Sequence, residues 1–128
     1  MPSELPTEKE LWVSLIVDSL NLISRPQSVI TKGYWLTTGT IHTPLGMVPF
    51  LTALNDWLPT VGGTLLIRNI ASDVREGTPG SVSILIEFPS LEAAVQTYEA
   101  DRHQTLIAMR TPHSDLTPSI TEGLPTGS

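Results

Sequence analysis

Cysteine is absent from the 128 residues, which excludes disulfides, thiolate zinc sites, iron–sulfur ligation and a cysteine nucleophile. Positive charge is also scarce: seven Lys and Arg stand against thirteen Asp and Glu, for a formal charge of −6. The cations are scattered, so no basic patch exists to neutralise phosphates, and neither nucleic acid nor an anionic membrane is expected as a partner. The longest apolar stretch, Leu11 to Ile23, is interrupted by Asp18 and Asn21 and is too short to cross a bilayer. Glutamates precede it and no small-residue cleavage site follows, unlike a secretory signal. These features predict a cytoplasmic protein. There is no Gly-x-Ser-x-Gly elbow and no phosphate-binding glycine loop with its Lys. His42, His103 and His113 lack the i, i+3 or i+4 spacing of a helical metal pair, so no metal site is expected.

What is present reads as one compact domain behind a helical extension, with boundaries at 1–30, 31–124 and a tail at 125–128. Thr7 and Glu10 have capping-box spacing, and Leu11, Leu15, Ile16, Leu20 and Ile23 recur at helical intervals until Pro26. Lys32 to Ile41 is rich in Tyr, Trp and Thr and reads as a strand. Leu45 to Thr60 reads as a helix with Val48, Leu51, Leu54, Trp57 and Leu58 on one side, Pro49 being tolerable in its opening turn. Gly62-Gly63 supplies the exit, and Thr64 to Asn69 follows as a strand with Leu65 and Ile67 on one face and Leu66 and Arg68 on the other.

Asp73 to Gly80 is a solvated hairpin loop. Ser81 to Phe88 alternates, with Val82, Ile84, Ile86 and Phe88 on one side. Ser90 caps a helix through Leu91, Ala94, Val95 and Tyr98 that bends near Asp101, continues to Arg110 and is closed by Pro112. Asp115 to Gly123 is a last strand in which Pro118, lacking a donor, points to a sheet edge. The order after the first helix is βαββαβ, the split βαβ arrangement of an α+β ferredoxin-like protomer. Two helices cover one face of such a sheet, and the bare apolar face asks for a second copy. A homodimer is the expectation.

Lys32-Gly33-Tyr34-Trp35, Gly62-Gly63-Thr64-Leu65-Leu66-Ile67-Arg68, Ile86-Glu87-Phe88-Pro89-Ser90-Leu91-Glu92-Ala93-Ala94 and Leu106-Ile107-Ala108-Met109-Arg110 are landmarks that together resemble the domain of unknown function 1330 family, within the dimeric α+β barrel superfamily. The resemblance covers about residues 32–124, the stretch around Glu87-Phe88-Pro89-Ser90 being its most specific part. It implies a ferredoxin-like protomer paired through its sheet into a barrel, without metal or organic cofactor. Related superfamily members include cofactor-independent oxygenases, lactone isomerases and polyketide cyclases, so the resemblance leaves the reaction open. Three positions depart from the family pattern, one of them Pro118 in the expected last strand. Thr97-Tyr98 keeps only the second aromatic of a usual Trp-Tyr pair, and His103 stands where a later tyrosine is usual.

His103 is the foremost catalytic candidate, since imidazole exchanges protons near neutral pH and the bend can bring it to Tyr98, five residues upstream. A solvated helix histidine is the plain alternative. His42, at the end of the first strand, is a second candidate base or else a loop residue. Glu87 lies near the end of an apolar strand, where burial would raise its pKa or a cation such as Arg68 would pair with it across the strands. Trp35, Trp57, Arg68 and Phe88 are the candidate substrate contacts, the aromatics being core residues otherwise. Arg110 is read as a cation favoured by the helix dipole. The pattern predicts a cofactor-independent dimeric enzyme of specialised metabolism that cyclises or isomerises a hydrophobic aromatic or polyketide-like intermediate by His/Tyr proton transfer. The alternative is a non-catalytic dimeric ligand-binding or pathway accessory protein.

Overall fold

The computed structural model describes residues 7–13 and 31–125. The chain divides into two compact units, Met1–Ile30 and Thr31–Ser128. In the first, residues 8–13 are helical, and the capping box forms as its spacing predicts. The Thr7 amide donates to Glu10 Oε2 at 3.2 Å and the Glu10 amide to Thr7 Oγ1 at 3.2 Å. The rest of the predicted first helix lies outside the described residues. Among the described residues, no helix is long and apolar enough to cross a membrane.

The second unit runs β1 (Gly33–Ile41), α1 (Val48–Trp57), β2 (Thr64–Asn69), β3 (Val82–Phe88), α2 (Leu91–Glu99), α3 (Asp101–Arg110) and β4 (Ser114–Glu122). Short 3₁₀ turns flank α1 and follow α3. The four strands form one sheet in the order β2-β3-β1-β4, with every neighbouring pair antiparallel. This is the ferredoxin-like α+β topology. Pro118 falls on the edge strand β4 opposite Thr37, where β4 has a neighbour on one side only.

Strand alternation sends Trp35, Ile86 and Phe88 into the core beneath the helices, where each is at most 4% exposed. Gly33 opens that arrangement. A Cβ there would collide with the Ser90 carbonyl oxygen and lie 2.7 Å from Leu91 Cα, so glycine lets the start of α2 settle on β1. Ser90 Oγ accepts from the Ala93 amide at 3.0 Å, capping α2 as expected. Gly62, at φ 80°, ends the 3₁₀ turn after α1 in the left-handed conformation.

Two details differ from the sequence reading. The buried side of α1 is Phe50 and Leu54, continued by Met47 and Leu58 in the flanking turns, whereas Val48 is 52% exposed. Apolar residues surround much of this helix, so periodicity alone does not choose which side meets the sheet. The second detail is a bulge in β2. Leu65 registers with Ile86 and Ile67 with Leu85, leaving Leu66 as the extra residue. Arg68, opposite Ile84, therefore shares the face of Leu65, and Ile67 moves to the opposite face.

Candidate functional site

The site begins with the interruption between α2 and α3. Ala100 leaves helical geometry at φ −61°, ψ 144°, which removes the amide that would have bonded the Tyr98 carbonyl in an unbroken helix. His103 Nδ1 and Gln104 Nε2 reach that carbonyl instead, at 2.8 and 3.0 Å. A carbonyl can only accept, so Nδ1 carries the proton, and in the neutral ring Nε2 holds the lone pair. The bend thus brings together Tyr98 and His103, whose rings lie 4.6 Å apart.

The imidazole is 3% exposed. It sits 4.5 Å from the Trp35 ring and stacks near-parallel to Trp57 at 6.0 Å. Trp35 is itself fixed by its indole N–H, which donates to the Ala94 carbonyl at 2.8 Å. Loss of hydration pushes the His103 pKa below its ordinary 6.5, and the positive charge of Arg110 pushes it the same way against the bond to Tyr98. The ring is neutral at pH 7.

Protonation of His103 is thus easier in the unfolded chain than in the folded one. The unfolded state binds the extra proton below pH 6.5, so His103's contribution to stability is complete above that pH and is lost as pH falls toward the lower folded pKa. Urea unfolding between pH 8 and 5 is expected to show a descending limb below about 6.5, of at most about 1.4 kcal/mol per pH unit from this group. The limb should shrink in His103→Gln; an unchanged limb would contradict the assignment.

Between the helices and the sheet lies a cavity of about 40 Å³, lined by His103, Tyr98, Arg110, Trp35 and Thr37 together with apolar side chains from α1, β3 and β4. The sequence predicts Arg110 to be a helix-dipole cation, and it stands in the last turn of α3. Its side chain is also turned inward, 9% exposed, with its guanidinium 5.9 Å from the centre of the Phe50 ring. Desolvation lowers its pKa, while the nearby Tyr98 side chain works in the opposite direction. No local signal separates an inward from an outward arginine in a last helical turn. A larger hollow of about 200 Å³, bordered by Ile41, Met47, Leu51, Ile70 and Val82, has no titratable side chain in its lining.

The other candidates lie elsewhere. Phe88 is buried against Trp35 at 4.7 Å and supports the cavity without lining it. Glu87 is on the opposite face of the sheet, where Tyr34 Oη donates to it at 2.9 Å and Lys32 Nζ lies 3.7 Å away. Its cation is therefore Lys32 and not Arg68, because the β2 bulge places Arg68 opposite Ile84, on the other face and farther along β3. That same carboxylate raises the Tyr34 pKa, chiefly by accepting its hydroxyl proton in a hydrogen bond. His42 is half-exposed and pairs with Asp115 at 2.6 Å, while Thr43 bonds His113 Nδ1 at 2.6 Å. Among the described residues, no group of three or more His, Cys, Asp or Glu is arranged to hold a metal ion.

The sheet topology, the helix break and the cavity between layers define a ferredoxin-like α+β domain with an inward-facing His, Tyr and Arg. Residues 32–124 match the family described as Domain of unknown function (DUF1330), and the chain belongs to that family. No curated protein matches the chain. Among solved structures it is similar to the RPA0582 protein of unknown function from Rhodopseudomonas palustris, at 11% identity and a TM-score of 0.59 over 94% of this chain and 95% of that one. The methylated RPA0582 protein gives 14% identity and a TM-score of 0.53, covering 97% and 96% of the two chains. A putative antibiotic biosynthesis monooxygenase from Nitrosomonas europaea gives 11% and 0.47, covering 75% and 92%. At these identities the likeness to the two RPA0582 structures is one of fold.

Proposed function

We propose that this protein is a cofactor-independent enzyme that isomerises or cyclises a small hydrophobic carbonyl compound by proton transfer, with His103 as the base. The observation that carries the reading is a neutral, buried imidazole whose Nδ1–H is held by the Tyr98 carbonyl, leaving Nε2 as the basic atom. In the step proposed, Nε2 takes a proton from the carbon beside a carbonyl. The electron pair of that C–H bond moves into an enolate; in isomerisation the proton returns at another carbon of the enolate system, whereas in ring closure the enolate carbon attacks a second carbonyl of the same molecule, whose C=O π pair becomes an alkoxide that takes the proton back from His103. No oxidant or reductant is needed. The cavity of about 40 Å³ admits the reactive end of a substrate, not a whole polyketide, because pockets for whole drug-sized ligands run to roughly 300–1,000 Å³.

The assay is solvent deuterium uptake into a panel of enolisable ketones, keto acids and lactones, followed by NMR for the wild type and His103→Gln. Acceleration that depends on His103 supports the reading. Equal rates in both would overturn it. The small cavity favours a second reading, a non-catalytic ligand-binding or pathway accessory protein, for which no compound would exchange faster than in buffer.

The proposal includes a homodimer paired through the bare sheet face. Ile67, Leu85 and Leu36 are in register there as an apolar row across three strands, with Leu36 45% and Ile67 47% exposed. Light scattering is expected to give about twice 13.9 kDa, and a monomer at micromolar concentration would refute the pairing.

A further inference from the structure

Arg110 is the one buried guanidinium among the described residues, and no carboxylate pairs with it there. Its neighbours are neutral: the Tyr98 side chain, the Phe50 ring and the uncharged His103 ring, while Leu54, Ile84 and Leu116 also line the cavity. A buried cation in an apolar lining is costly unless a counter-charge meets it, and a guanidinium offers five donors of which a phenol can occupy few. We infer that the cavity is a binding site for a monocarboxylate, held by Arg110 with the Tyr98 hydroxyl beside it.

The class follows from charge, shape and lining. With His103 neutral, the cavity presents a single positive charge, which balances a monoanion and not a phosphate dianion. A planar carboxylate matches the guanidinium fork with two parallel hydrogen bonds, and the aliphatic lining suits a short apolar remainder. About 40 Å³ accommodates a group of acetate or propionate size, or the acid end of a longer molecule. This assigns a ligand class to the cavity on which the proton-transfer reading rests. It concerns binding, so it is tested without turnover.

The test uses the full chain, ¹⁵N-labelled, titrated with sodium acetate, with acetamide as the neutral isostere and sodium chloride at matched ionic strength. Acetate alone should move the Arg110 Nε–H and His103 ring signals and raise the midpoint of thermal unfolding. Arg110→Met, which removes the charge and keeps much of the volume, should weaken acetate binding by about 10- to 100-fold. Without acetate its unfolding midpoint should equal or exceed that of the wild type. Arg110→Lys, which keeps the charge without the fork, should fall between the two. Equal responses to acetate, acetamide and chloride, shifts confined to surface cations, or undiminished binding by Arg110→Met would overturn the inference. Should Arg110→Met fail to fold, the location of the wild-type shifts decides. Acetate binding without deuterium exchange on any panel compound would sink the proton transfer and leave the carboxylate site standing.

Discussion

Phe88→Ala is expected to lose about 3–5 kcal/mol of stability, the range for truncating a buried aromatic with partial relaxation around it. Phe88 is 1% exposed, ends the inner strand β3, meets the Trp35 ring at 4.7 Å and has Gly63 close to its ring edge. Gly63 offers no side chain to fall into the space, and Trp35 is tethered to the Ala94 carbonyl, so collapse is restricted. Against a typical total of about 5–15 kcal/mol, the loss takes a large share. Urea unfolding at pH 7.5 measures it, with Phe88→Leu expected to cost distinctly less because it fills most of the volume. A Phe88→Ala variant within about 1 kcal/mol of the wild type would show that this core repacks freely.

His103→Gln carries the second large effect, an expected fall of about 10²- to 10⁴-fold in the deuterium-exchange rate. Glutamine can still donate to the Tyr98 carbonyl, so α2 and α3 keep their junction while the basic nitrogen is lost. The pH profile separates this chemistry from damage to the fold. Because burial and Arg110 hold the His103 pKa below 6.5, the base stays active past that pH on the acid side before the rate declines. The glutamine variant should lack this acid limb. A wild-type profile retained by His103→Gln would assign the proton transfer to another group.

Most elements were legible because short-range chemistry specifies them. Thr7 with Glu10, Ser90 as a cap, the alternation from Val82 to Phe88 and the break before Asp101 depend on residues a few positions apart. The prominence of His103 and its approach to Tyr98 followed from that break, although the acceptor, the Tyr98 carbonyl, did not. What escaped depended on register and rotation. The β2 bulge turns Arg68 to another face, the sheet separates Glu87 from His103, and His42 finds Asp115 across the β1–β4 pair.

The sequence by itself determined the order of strands and helices and the side chains able to exchange a proton, since periodicity, caps and side-chain chemistry are local properties. Tertiary structure decided that Arg110, and neither Arg68 nor Glu87, joins His103 and Tyr98 at the cavity. That choice rests on how the α3 helix rotates against the sheet and on one inserted residue in β2, both settled by packing among residues far apart in the chain.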